Sequence, residues 1–198
     1  ESMDYSGDFA FARYNLGNLY ANLHQPERAV ENYRAAIRID NQFFPAKVNL
    51  AMLYNQLGRK DETEVLLREV VDSQPELYEV QYSLGLLLAE KKQYDAAARY
   101  LAAAAAGMPD HARVHYNLGM LLDFLQRDME AISALLRTLE IEPVNMQYLN
   151  AVAEFYLKRQ RYREANKIAE RMVAAHPLNP RGRDLLESIN RKLEADDQ

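Results

Sequence analysis

His111 and His115 stand four residues apart, a spacing that can turn two imidazoles to one side of a helix and offer them to a metal ion. A zinc site asks for a third or fourth ligand, yet the chain contains no cysteine and no other histidine lies nearby. The pair is therefore read as packed or solvated, and no metal is expected. Carboxylates such as Glu27, Glu31, Asp61 and Glu64 are plentiful, but they fall on the polar side of helical patterns, whereas acid–base catalysis needs burial to push two pKa values apart. The seven glycines never form a phosphate-cradling loop, GxSxG is absent, and no serine has a histidine and an acid patterned around it. No catalytic residue and no cofactor is expected, and the chain reads as non-enzymatic.

What repeats is not chemistry but spacing. Tyr14-Asn15-Leu16-Gly17 returns as Tyr116-Asn117-Leu118-Gly119, with Val48-Asn49-Leu50-Ala51 and Tyr82-Ser83-Leu84-Gly85 between them, each step being 34 residues. A fixed period of that length means one supersecondary unit copied and stacked. The register divides the chain into an N-terminal extension or cloning remnant (1–9), five repeats (10–43, 44–77, 78–111, 112–145 and 146–179) and a capping helix with its tail (180–198). In the first half of each repeat, positions 7, 8 and 11 are apolar or small, as in Leu16, Gly17 and Tyr20 or Val152, Ala153 and Tyr156, which predicts one buried helical stripe. Positions 20, 24 and 27 do the same in the second half, as in Ala29, Tyr33 and Ala36, and predict a second helix facing the first. Only Thr63 breaks the alanine column at position 20. Pro75, Pro109, Pro143 and Pro177 recur at position 32, where a helix must stop. About eleven helices and no strand are expected.

Charge and composition narrow the partners. A formal net charge of −5, from 24 basic and 29 acidic residues, argues against a phosphate-tracking surface, so nucleic acid is not expected. No apolar run reaches the roughly 20 residues of a membrane span, so direct membrane insertion is not expected. A soluble chain of the cytoplasm or periplasm fits, and no feature selects the compartment.

The columns resemble the tetratricopeptide repeat family, whose units carry aromatic-x-x-Leu-Gly-x-x-Tyr in helix A, small, aromatic and small residues in helix B, and a closing proline. The resemblance covers residues 10–179 and departs from the family at position 4, where tryptophan is replaced by Arg13, Lys47, Gln81, His115 and Leu149. It implies a right-handed α-solenoid, a superhelix of antiparallel helix pairs, with helices A lining a concave groove. Carried onto this chain, the peptide-binding groove comprises Tyr14, Asn15, Asn18 and Asn22, then Val48, Asn49, Met52 and Gln56. Tyr82, Ser83 and Leu86 follow, and then Tyr116, Asn117, Met120 and Phe124, with Asp123 and Asn150 on the same side. Asn15, Asn49 and Asn117 share position 6 and predict a ladder of amides along an extended ligand. The carboxylate clamp that some family members use for acidic tails is not expected, because Tyr14, Glu79 and Ser83 occupy its three basic places although Asn18 and Asn49 match.

The implied function is a scaffold that binds an extended peptide or protein segment. The alternative is a structural or oligomerising module of a larger protein, associating through the front of the array and its outer faces; Phe9 and Phe11 at the front either pack inward locally or belong against a preceding part of a longer chain. At the other end Leu185, Leu186, Ile189 and Leu193 predict a helix that covers the last apolar face.

Overall fold

The computed structural model describes the backbone of residues 2–196 and the side chains of residues 7–194. The described residues form eleven helices and no strand: α1 (Ser2–Asn22), α2 (Pro26–Ile39), α3 (Phe44–Gln56), α4 (Lys60–Ser73), α5 (Tyr78–Glu90), α6 (Tyr94–Gly107), α7 (Ala112–Phe124), α8 (Asp128–Ile141), α9 (Met146–Lys158), α10 (Tyr162–Ala175) and α11 (Pro180–Asp196). Every repeat holds one helix A and one helix B, the architecture of an α-solenoid. Residues 2–9, set apart in the sequence as an extension, continue α1 as helix.

The chain divides into two compact bodies, one up to Tyr100 and one from Leu101, with the boundary inside α6. In the first, α1 packs on α2, α2 on α3, α3 on α4 and α4 on α5. In the second, α7 packs on α8, α8 on α9, α9 on α10 and α10 on α11. Small residues at position 8 make the pairs possible: a Cβ on Gly17 would lie 2.5 Å from the Tyr33 ring, and one on Gly119 would lie 2.8 Å from Leu135 Cγ. Opposite them Ala29, Ala131 and Ala165 are fully buried. The exception at position 20 is satisfied within its own helix, since the Thr63 hydroxyl donates to the Arg59 carbonyl at 2.9 Å.

One member of the expected stripe departs from it. Leu50, Leu84, Leu118 and Val152 are buried, but Leu16 at the same position is 40% exposed. Burial at position 7 needs a neighbour on the N-terminal side of helix A, and among the described residues nothing covers that side of α1. Phe9, Leu19 and Leu23 are exposed there as well.

The A–B turns show a device that the residue types conceal. His24, Gly58, Lys92, Gln126 and Gln160, all at position 15, adopt positive φ between 55° and 74°, and only one of them is glycine. The next N–H then reaches back to the carbonyl of position 11, Arg59 to Tyr54 at 2.8 Å and Arg127 to Leu122 at 2.9 Å, which closes the helix in a left-handed C-cap. Arginines at position 16 open the following helix by pairing with a glutamate three residues on, Arg59 with Glu62, Arg127 with Glu130 and Arg161 with Glu164, each at 2.6 Å. No helix among the described residues is long and apolar enough to cross a membrane.

Candidate functional site

Within the first body, α1, α3 and α5 carry the side chains assigned to the groove. Tyr14 is half-buried, its ring 5.4 Å from Phe43 and 6.1 Å from Tyr33. Asn18 Oδ1 accepts from the Tyr33 hydroxyl at 2.8 Å and from Asn49 Nδ2 at 2.8 Å, while Asn49 Nδ2 also approaches the Tyr14 hydroxyl at 3.3 Å. Burial pushes the Tyr33 phenol above its ordinary pKa, so it stays a neutral donor to Asn18. Two asparagines that the sequence offered to a ligand are thus bonded to each other, and the donor end of Asn49 is committed to joining α1 and α3. Ser83 is engaged too, donating to the Glu79 carbonyl of its own helix at 2.9 Å. Asn15 and Asn22 are exposed, whereas Asn117 is half-buried in the second body. The polar position-6 residues therefore do not share one environment: Asn15 is exposed, Asn49 bridges two helices and Ser83 bonds within its own helix.

The apolar members behave more uniformly. Met52 is 56% and Leu86 39% exposed, and the two flank a hollow of about 240 Å³. Asn55, Gln56, Ser83 and Glu90 supply its polar wall, and Leu67 and Leu87 are among its apolar residues. Val48 and Tyr82 are half-buried on the same helices. The arrangement can sequester an apolar side chain while amide groups meet a peptide backbone.

In the second body α7, α9 and α11 converge on a more polar recess of about 420 Å³ lined by Tyr116, Met120, Gln147, Asn150, Glu154 and Arg181. The Tyr116 ring lies 5.4 Å from Tyr148, and Arg181, from the capping helix, pairs with Glu154 at 3.1 Å. Phe124 is 63% exposed. Asp123 is a brace: Lys158 and Arg159 each reach it at 2.8 Å, and Arg159 also bonds Asp128. Those two carboxylates hold the Arg159 guanidinium above its ordinary pKa, the bond to Asp128 most strongly.

Position 4 explains the missing tryptophan. Gln81 donates to the Pro75 carbonyl, His115 Nε2 meets the Pro109 carbonyl at 3.1 Å, and Arg183, at the corresponding place in α11, donates to the Pro177 carbonyl at 2.8 Å. Each side chain meets a carbonyl of the inter-repeat turn, that of Pro109 being shared with Arg137. Lys47 is buried at position 4 and pairs instead with Glu69 at 2.8 Å. His115 is thereby tied to a turn carbonyl, with its pKa lowered by burial, and His111 is the exposed residue that precedes α7. Periodicity pointed to position 4, but the acceptor six residues earlier became visible only in the fold.

Sequence models of the tetratricopeptide repeat match residues 10–43, 46–77, 64–108 and 88–154. Among solved structures, MamA is similar with TM-score 0.79 at 20% identity, over 86% of this chain and 93% of that one. YrrB, described as a TPR protein with an unusual peptide-binding site, gives 0.76 at 19% identity over 92% of each chain. A tetratricopeptide repeat protein from Parabacteroides merdae gives 0.77 at 16% identity, over 95% of this chain and 75% of that one. No curated protein matches the sequence.

Proposed function

Because the chain belongs to the tetratricopeptide repeat family, we propose that it is a non-enzymatic protein-interaction scaffold whose helix-A faces hold an extended segment of a partner. The observation that carries this reading is the hollow between α3 and α5, where exposed Met52 and Leu86 stand beside the amides of Asn55 and Gln56. Exposed apolar side chains next to exposed amides suit a ligand with apolar side chains and an open backbone. That YrrB, of the same fold, is described as having a peptide-binding site supports a peptide as the ligand.

The amide ladder is narrowed by the geometry. Asn49 is a brace between helices, so Asn49→Ala would disturb folding and binding together. Gln56→Ala and Met52→Ser are the discriminating changes. Peptides selected by display on the whole chain should bind both variants at least several-fold more weakly in calorimetry, with circular dichroism unchanged. Unaltered affinity in both would reject the hollow as the site.

A second reading has its own observation. Phe9, Leu16 and Leu19 of α1 and Leu23 just beyond it lie at i, i+7, i+10 and i+14 and are exposed among the described residues, the spacing of one helical seam. We infer that this seam is where the chain would self-associate. Light scattering of the chain and of a Phe9→Ser, Leu16→Ser, Leu19→Ser variant tests it: a dimer lost on substitution supports association, and a monomer in both excludes it.

A further inference from the structure

Helices B of the first two repeats enclose a recess that the groove reading does not use. It measures about 530 Å³, within the range of ligand pockets, and lies between α2 and α4 over α3. Ile37, Leu50, Tyr54, Val65 and Leu66 supply its apolar surface, while Arg34 and Arg38 on one side face Asp61 and Glu62 on the other.

Three observations set it apart from ordinary repeat surface. The first is charge. Asp61 is committed to Lys91 and Glu62 to Arg59, whereas neither Arg34 nor Arg38 forms an ion pair among the described residues. Arg34 lies only over the Tyr54 ring, 5.8 Å from its centroid. The recess thus presents two unneutralised cations one helical turn apart. The second is position. Arg34 and Arg38 stand at positions 25 and 29, where the other repeats have Arg68 and Asp72, Ala102 and Ala106, Leu136 and Glu140, or Glu170 and Ala174. Val65, 57% exposed beside them, occupies position 22, which elsewhere is Glu31, Arg99, Ser133 or Lys167. The repeat pattern requires neither the arginine pair nor the exposed valine. The third is an orphan: the Tyr54 hydroxyl is buried and has no hydrogen-bond partner, on a side chain that lines the recess.

We propose that this recess is a second docking site, for a partner segment presenting a bulky apolar side chain beside a carboxylate. The apolar side chain covers Ile37, Val65 and Leu66, and the carboxylate accepts from Arg34 and Arg38, whose guanidinium groups suit it. A slight tilt of Tyr54 would let its hydroxyl donate to a backbone carbonyl of the same segment.

The test uses the whole chain, methyl-labelled at Ile, Leu and Val, titrated with acetylated and amidated Gly/Ser hexapeptides carrying one Phe and, three residues on, Asp, Asn or Lys. The Asp peptide should shift the methyl signals of Ile37, Val65 and Leu66, with the Asn peptide roughly three- to fivefold weaker and the Lys peptide weaker still. Arg34→Glu with Arg38→Glu, both at exposed positions outside the core, should reverse the order of Asp and Lys. Equal binding by the three peptides, no shift at Val65, or an order unchanged in the double variant would overturn the proposal. So would decanoate moving these methyl signals when no peptide does, which would make the recess a small-amphiphile site. Because Met52 is not among the residues that line the recess, Met52→Ser should leave this binding intact, which separates it from the groove reading.

Discussion

Gly7 and Gly119 both lie within helices, and changing each to alanine asks opposite questions of the structure. A Cβ on Gly7 would meet nothing within 4 Å, whereas one on Gly119 would meet Leu135 Cγ at 2.8 Å, Cδ2 at 2.9 Å and the Leu135 backbone nitrogen at 3.2 Å. Alanine exceeds glycine in helix propensity by about 1 kcal/mol, and this gain enters both substitutions, diminished at Gly7 near the start of α1. Overpacking costs about 1–3 kcal/mol, and the upper half of that range, about 2–3 kcal/mol, applies because Leu135 is only 1% exposed with its backbone inside α8 and cannot yield. Gly7→Ala should therefore stabilise by about 0.5 kcal/mol and Gly119→Ala should destabilise by about 1–2 kcal/mol. At about 2–4 °C per kcal/mol for a chain of this size, their melting temperatures should separate by roughly 3–10 °C in opposite directions from the parent. Thermal and urea unfolding followed by far-UV circular dichroism provide the measurement. If Gly119→Ala stabilised as much as Gly7→Ala, the close contact of α7 with α8 would be refuted, and with it the reason for a small residue at position 8.

Gln126→Gly should raise stability by about 0.5 kcal/mol, since left-handed backbone costs a non-glycine residue more than the added chain entropy takes back, while Gly58→Ala should lower it by about 1 kcal/mol; urea midpoints decide both. Glu69→Gln should cost about 1–2 kcal/mol by leaving the Lys47 ammonium buried beside a neutral partner, discounted because Glu69 is half-exposed, whereas Lys47→Met should change stability by less than about 1 kcal/mol. The bond from Lys91 and the pairing with Arg68 hold the Glu64 carboxyl below its ordinary 4.5, so its contribution is complete above pH 4.5 and disappears as pH falls through the lower folded value. The stability difference between the parent and Glu64→Gln should accordingly shrink between pH 5 and pH 3, and a difference independent of pH would contradict the pairing.

Period and columns were legible because they report what every copy must solve alike. A helix A can cross its helix B closely only over glycine or alanine, so Gly17, Ala51 and Gly119 announce the contact in the chain itself. Environments that differ between copies left no such mark. Leu16 has the sequence of a buried residue and lies exposed, because Leu50 packs against α2 and among the described residues nothing covers Leu16 in that way. The left-handed turns were hidden for another reason: the fold imposes that conformation on His24, Lys92, Gln126 and Gln160 through the bond to position 11, so side-chain type signals it only at Gly58.

The asparagines show where repetition misleads about function. Equal letters at position 6 suggested equal roles, but an amide is both donor and acceptor and bonds whichever partner its copy supplies. In the first body the partners are internal: Asn18 gathers Tyr33 and Asn49, so the amide that could hold a ligand instead fixes α3 against α1. Exposed methionine and leucine have no such internal outlet. Met52 and Leu86 remain uncovered on helices whose other leucines are buried, and this unspent apolar surface is a stronger pointer to a ligand than a row of amides. The same criterion marks Val65 on α4 and Met129 on α8, each an exposed apolar residue at a position that the other repeats make polar. In an array built from copies, residues that break the pattern without serving the packing are the ones left for recognition.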